Sequence, residues 1–173
     1  MSVRAWNVSV LTAALGLWLA SGTQREKPVL ALAKTEAVRA LENDVALHPA
    51  RKEPVIALAQ AYLDAQSPGL AVSLVESLPN AVRADVKIDH LYARALVAQG
   101  RNQEALSAER RVLAECTVDS CDAFLIASAQ RRADIIAELL KLGVEDAQAE
   151  PEASQIAYHN ATRSAQVSVP LAL

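Results

Sequence analysis

The chain has 173 residues, of which 52% are hydrophobic but only 3% are aromatic. Ala, Leu and Val supply most of the apolar side chains. Ala and Leu favour helices, whereas β-rich folds draw on aromatic and β-branched residues. The composition therefore predicts an all-α protein. The formal net charge of −3 has the wrong sign for a nucleic-acid-binding surface, and the charges are scattered along helical segments, as on solvated faces.

Residues 1–22 have the layout of a secretory signal peptide. Arg4 gives a positive start, residues 7–20 carry no charge, and Ala20-Ser21-Gly22 is a small-x-small cleavage pattern. The apolar stretch of roughly fifteen residues is short of the ~20 that span a bilayer. The sequence thus predicts export to the periplasm or cell envelope. The alternatives are an inner-membrane anchor over residues 5–21 and a buried N-terminal helix.

The rest of the chain is predicted to form short helices separated by proline and glycine. Residues 23–32 are assigned to a linker and the start of the first helix, with Pro28 suited to a first helical turn. Apolar residues spaced by three and four positions define the helices, and residues 167–173 are predicted to be a disordered tail. The predicted helices are 28–47, 53–65, 70–78, 86–98, 103–115, 122–130, 134–141 and 152–165.

Residues 33–115 contain small residues that recur at a spacing of 34. Helix–turn–helix units of about this length are typical of tetratricopeptide repeats. The segment 91–113, with its turn Gly100-Arg101-Asn102, resembles one such repeat, 55–78 resembles a second, and 33–49 resembles half of a preceding unit. The pairs that carry the spacing are Ala37–Ala71, Ala71–Ala105, Ala59–Ala93 and Val72–Leu106.

This resemblance implies a right-handed stack of antiparallel helix hairpins, a TPR-like α-solenoid. The pattern is degenerate, because Val55 and Asp89 stand where a large aromatic residue is usual. An ordinary helical bundle rich in Ala and Leu is the alternative. Residues 116–166 fall outside the period and are predicted to form a C-terminal helical hairpin plus a capping helix. The inward side of that capping helix is predicted to consist of Ile156, Ala157, Tyr158 and Ala161.

Cys116 and Cys121 are the two cysteines of the chain. An exported protein meets an oxidising compartment, which favours a disulfide between them. Redox-active pairs usually have two intervening residues and a lowered thiol pKa. Four residues intervene here, and Asp119 and Asp122 would raise that pKa. A structural disulfide is therefore predicted, with free thiols and a metal or redox site as the alternatives.

No catalytic or metal-binding motif is evident. The histidines His48, His90 and His159 lie in different predicted helices, and a zinc site needs three or four ligands at suitable spacing. We therefore predict surface histidines and no metal or cofactor. The sequence also lacks a phosphate-binding loop, a Gly-x-Ser-x-Gly elbow and a His-Glu-x-x-His pair. These observations predict a protein that is not an enzyme.

The resemblance also implies a binding surface, because the first helix of each tetratricopeptide hairpin lines a concave groove. One wall would be acidic and apolar and the other basic, which suits a peptide. The expected function is an exported scaffold or adaptor that binds a protein or peptide in the cell envelope, with membrane contact only through an uncleaved N-terminal segment. The alternatives are a self-associating structural module and an accessory domain of an envelope enzyme with an unrecognised site. The predicted groove residues are Glu53, Ile56, Gln60, Leu63, Asp64, Lys87, His90, Arg94 and Val97.

Overall fold

The computed structural model describes residues 28–117, 119–147 and 149–167, with side chains from residue 35 to residue 163 within these ranges. The predicted signal peptide over residues 1–22 therefore lies outside the described residues, as does the predicted tail apart from Val167. The chain divides into two compact units, Met1–Ala37 and Val38–Leu173. Only the start of the first helix is described in the former unit, and the account below concerns the latter.

Eight helices and no strand occur in the described residues, which confirms the all-α prediction. None of these helices is long and apolar enough to cross a membrane. Six of the eight predicted helices are found, each with bounds that agree to within two positions. The helices are α1 Pro28–Leu47, α2 Lys52–Asp64, α3 Pro68–Ser77, α4 Asn80–Arg83, α5 Val86–Val97, α6 Asn102–Glu115, α7 Ala123–Lys141 and α8 Pro151–Val167.

Two features of the helix order differ from the prediction. The short helix α4 was not predicted. The predicted helices 122–130 and 134–141 are a single helix, α7, so the prediction of a C-terminal hairpin there is wrong. The polar run at 130–132 contains no glycine or proline that would end a helix. Ala129, Ala133 and Ile136 keep a buried stripe at helical spacing through that run.

Most helices pack against the helices that are next to them along the chain. Helix α2 packs against α3 and α5, α5 against α6, α6 against α7, and α7 against α8. Two pairs predicted at the repeat spacing, Ala59 with Ala93 and Ala71 with Ala105, are all buried. Ala37 is exposed instead, because the inward side of α1 consists of other residues. The side chains of α1 that pack into the core are Val38, Leu41 and Val45.

Helix α8 packs on α7 with fewer buried residues than predicted. Ala157 and Ala161 are buried, whereas Ile156 and Tyr158 are exposed, so the prediction that all four face inward is wrong. Residues 157 and 161 are four positions apart and share one side of a helix, while 156 and 158 flank that side. Tyr158 lies under the guanidinium of Arg131, which is 5.2 Å from the ring centroid and donates a hydrogen bond to the hydroxyl.

A disulfide joins Cys116 and Cys121, whose Cα atoms are 5.3 Å apart, as the sequence predicts. It closes the turn between α6 and α7. Within this turn the Thr117 backbone N–H donates to Ser120 Oγ at 2.8 Å. The cross-link thus fixes the point at which the chain leaves α6 and enters α7.

We expect the Cys116→Ser/Cys121→Ser variant to lose about 2 kcal/mol of unfolding free energy, because a short cross-linked loop restricts the unfolded chain only modestly. Urea unfolding followed by far-UV circular dichroism measures the loss. Intact-mass analysis of the wild type provides the control, since reduction must add the mass of two hydrogen atoms. Equal stability of the two proteins would show that the turn is held without the cross-link.

Candidate functional site

A groove with a volume of about 1010 Å³ lies between α2, α5 and the first half of α7. It contains predicted groove residues from both α2 and α5, which therefore share one surface. The wall formed by α7 was not predicted. The predicted residues that line the groove are Glu53, Ile56, Gln60, Lys87, His90 and Arg94, and α7 together with its N-cap adds Asp122, Phe124, Leu125, Ser128 and Arg132.

Three predicted groove residues lie elsewhere. Leu63 and Val97, which occupy equivalent positions on α2 and α5, are partly buried against the core formed by α3, α5, α6 and α7. Asp64 is exposed at the end of α2, where its Oδ1 accepts a hydrogen bond from Gln60 Nε2 at 2.7 Å. The groove is therefore bounded by residues 53–60 of α2 and residues 87–94 of α5.

The basic side of the groove contains two arginines whose charges are incompletely balanced. Arg94 donates from Nη1 to the neutral Oε1 of Gln60 at 2.7 Å. Arg132 Nη1 is 3.5 Å from Glu109 Oε1, at the limit of a hydrogen bond. Burial lowers the pKa of Arg132; the Glu109 carboxylate opposes this shift and the nearby positive charge of Arg94 adds to it. Both guanidinium groups can donate hydrogen bonds to an anionic ligand group.

The rim of the groove beside α7 is apolar. Phe124 is 82% exposed, and Leu125 and Ile56 lie nearby in the lining. The neighbouring Asp122 is the N-cap of α7 and accepts a hydrogen bond from the Phe124 backbone N–H at 2.6 Å. This cap fixes the start of α7 and therefore the backbone from which the exposed ring projects.

A three-residue hydrogen-bonded chain lies in the wall of the groove. Glu109 on α6 is completely buried, at 0% exposure, and its Oε2 is 2.8 Å from His90 Nδ1. His90 on α5 in turn places Nε2 3.1 Å from the hydroxyl oxygen of Ser128 on α7. Burial raises the pKa of Glu109, and the hydrogen bond from His90 and the charge of Arg132 oppose that rise. These hydrogen bonds join α5, α6 and α7 through polar side-chain atoms.

These residues correct two predictions. His48 and His159 are exposed, but the side chain of His90 is only 12% exposed, so it is not a surface histidine. The expectation that the charges lie on solvated faces is wrong for Glu109. It is also wrong for Asp89, which is 6% exposed and accepts bonds from Arg111 Nε and Nη2 at 2.9 and 2.8 Å.

One signal in the sequence could have identified Glu109. It lies three or four positions from Ala105, Leu106 and Val112, which form the buried side of α6. A carboxylate within such an apolar stripe predicts a buried charge with a partner. The identity of the partners is not encoded locally, since His90 belongs to the preceding helix and Ser128 to the following one.

The described residues contain no group of three or more His, Cys, Asp or Glu side chains arranged to hold a metal ion. No protein-family model matches the chain, and comparisons with curated proteins and with solved structures likewise found no match.

Proposed function

We propose that this chain is an exported scaffold or adaptor whose groove binds an extended segment of a protein partner in the cell envelope. The observation that carries the proposal is the groove itself. Its three helical walls combine an exposed phenylalanine with two arginines, of which Arg94 is hydrogen-bonded to a neutral amide and Arg132 has only a long contact of 3.5 Å with Glu109. Exposed aromatic and arginine side chains are the residue types enriched where proteins bind partners.

The spacing of residues supports a stack of tetratricopeptide-like hairpins as the framework. The alanine pairs at the repeat spacing, Ala59 with Ala93 and Ala71 with Ala105, are buried, as closely packed hairpins require. Gln60 and Arg94 share this spacing, and their side chains are hydrogen-bonded across α2 and α5. The predicted signal peptide and the Cys116–Cys121 disulfide support an oxidising location outside the cytoplasm.

The basic side of the groove favours an acidic peptide. Arg94 and Arg132 could each form charge-assisted hydrogen bonds to a carboxylate, while an apolar side chain of the same peptide packs on Phe124. Such a ligand relieves the repulsion between the two guanidinium groups. The acidic side chains and the apolar side chain together make the partner segment amphipathic.

We expect Arg94→Glu to weaken binding of a labelled peptide rich in Asp and Leu by tenfold or more, about 1.4 kcal/mol, because charge reversal replaces attraction with repulsion. Fluorescence anisotropy with the purified protein measures the affinity. Arg110→Glu changes the net charge equally at an exposed position of α6 outside the groove and should have a much smaller effect.

The matched Lys-Leu peptide serves as the ligand control. Equal affinity of the wild type for the acidic and basic peptides would refute the charge preference. Equal weakening by Arg94→Glu and Arg110→Glu would show that the peptide responds to overall charge and not to the groove.

A further inference from the structure

We propose that the groove also carries a serine-based acyl-transfer centre that acts on carboxylic esters, with Ser128 as the nucleophile and His90 as the general base. Glu109 is the positioning residue that holds the imidazole. This activity goes beyond peptide binding and needs only access of an ester to the groove, so it can be tested independently of the proposed partner.

The geometry meets the requirements for an activated serine. The nucleophile lies within hydrogen-bond distance of its base, with 3.1 Å between Ser128 Oγ and His90 Nε2. The base lies within hydrogen-bond distance of its orienting carboxylate, with 2.8 Å between His90 Nδ1 and Glu109 Oε2. Serine, histidine and a carboxylate in this order form the nucleophilic triad that recurs on unrelated folds, where geometry and not sequence position identifies it.

Burial divides the three residues by role. Glu109 is fully buried and cannot meet a substrate, whereas both His90 and Ser128 line the groove. An ionised Glu109 accepts the Nδ1–H of His90, which leaves Nε2 unprotonated and able to accept the hydroxyl proton of Ser128. The carboxylate thereby selects the tautomer that a general base requires.

The position of Ser128 on its helix also favours this role. Helical serines often donate their hydroxyl to the carbonyl of the preceding turn, as Ser107 on α6 does by donating to Gln103 O at 3.0 Å. The hydroxyl of Ser128 instead meets the imidazole nitrogen of His90. Arg132 follows one helical turn later on the same side of α7 and lines the same groove.

The reaction proceeds in two balanced steps. Ser128 Oγ forms a bond to the acyl carbon while its proton passes to His90 Nε2, and the ester C–O bond breaks as that proton is delivered to the leaving alcohol. Water then adds to the acyl-serine, giving its proton to His90. The bond between Oγ and the acyl carbon breaks, and the proton returns to Ser128. The guanidinium of Arg132 stabilises the negative oxygen that develops in each addition.

The test is labelling of the purified full chain with a fluorophosphonate probe, followed by peptide mapping and by measurement of p-nitrophenyl acetate hydrolysis. We expect the label on Ser128. Ser128→Ala should abolish it and should lower ester hydrolysis by about 10²-fold or more, because the nucleophile and the general-base assistance that it receives are lost together. Ser107→Ala, which removes a helical serine without a histidine partner, should leave both unchanged.

The positioning role of Glu109 is tested by the rate at which the probe labels Ser128 in folded variants. Loss of packing alone would not change this rate. The wild-type labelling rate at neutral pH is the reference. In Glu109→Gln the amide favours the other tautomer, so the rate at neutral pH should fall by about 10²-fold or more, and Glu109→Asp should recover part of it. Circular dichroism establishes that each variant is folded.

The proposal is overturned if the folded wild type is not labelled at Ser128 above the level of Ser107. It is also overturned if Ser128→Ala hydrolyses the ester as fast as the wild type. Either result would leave the hydrogen-bonded chain as a structural bridge between α5, α6 and α7. Labelling at Ser128 in a protein that binds no acidic peptide would support this inference while refuting the proposed function.

Discussion

Glu109→Ala is expected to lower the free energy of unfolding by about 3–5 kcal/mol at neutral pH, the range found when one partner of a buried ion pair is removed. The variant leaves a cavity in the protein core beside α6 and leaves His90 Nδ1 without its acceptor. It also removes the only carboxylate hydrogen-bonded to Arg132 in the described structure, at 3.5 Å from Oε1.

Urea unfolding followed by far-UV circular dichroism is the suitable measurement. Tryptophan fluorescence would not report on the core, because both tryptophans, Trp6 and Trp18, precede the described residues. Glu115→Ala is the matched control, since Glu115 is exposed on the same helix and surface substitutions usually change stability by less than about 0.5 kcal/mol. If the two variants lose equal stability, the buried carboxylate contributes nothing specific.

Glu109→Gln separates charge from packing. Because burial raises the pKa of Glu109 above 4.5, the folded state holds this proton more tightly than the unfolded state. The resulting stabilisation is complete below the ordinary pKa of a glutamate and is lost as the pH rises through the raised value. The groups that face the carboxylate are His90 and Asp89 on α5 and Arg132 on α7.

The stability of the wild type relative to Glu109→Gln should therefore decline as the pH increases through this window, by at most about 1.4 kcal/mol per pH unit. Unfolding of both proteins at a series of pH values measures the difference. A difference that rises with pH would mean that the favourable contacts of the carboxylate outweigh its burial.

Gly100→Ala is expected to lower the unfolding free energy by about 3 kcal/mol, because two penalties add. Gly100 has φ of +73°, a left-handed conformation that disfavours an alanine side chain. A Cβ atom there would also lie 2.8 Å from the backbone carbonyl oxygen of Glu145. That carbonyl cannot move freely, since the Asn102 amide nitrogen donates to Val144 O at 2.8 Å and to Glu145 O at 3.2 Å.

Gly143→Ala is the matched control for this substitution. Gly143 has nearly the same φ, +72°, but nothing lies within 4 Å of an added Cβ. It should therefore show the conformational penalty alone, about 1 kcal/mol. Chemical unfolding of the two variants compares them directly. Equal losses would show that the close approach of Gly100 to the segment after α7 costs nothing.

Local sequence determines the helices of this protein. Apolar side chains at spacings of three and four positions, with Pro28 at the first helix start, predicted most helix bounds closely. The repeat spacing also predicted which sides of α2 and α5 meet, because residues at one repeat offset occupy equivalent positions on packed helices. The resemblance to tetratricopeptide hairpins implied Glu53, Gln60 and Arg94 as groove residues, and all three line the groove.

Only the tertiary structure decided the chemistry of the groove. Its third wall comes from α7, which lies outside the repeat period and runs unbroken through a polar segment that resembled a turn. The hydrogen bonds that link Ser128, His90 and Glu109 depend on side chains from three separate helices. These side chains meet only when α5, α6 and α7 pack together. Periodicity reports which side of a helix is buried, whereas the partner of a buried polar atom is set by the packing of distant helices.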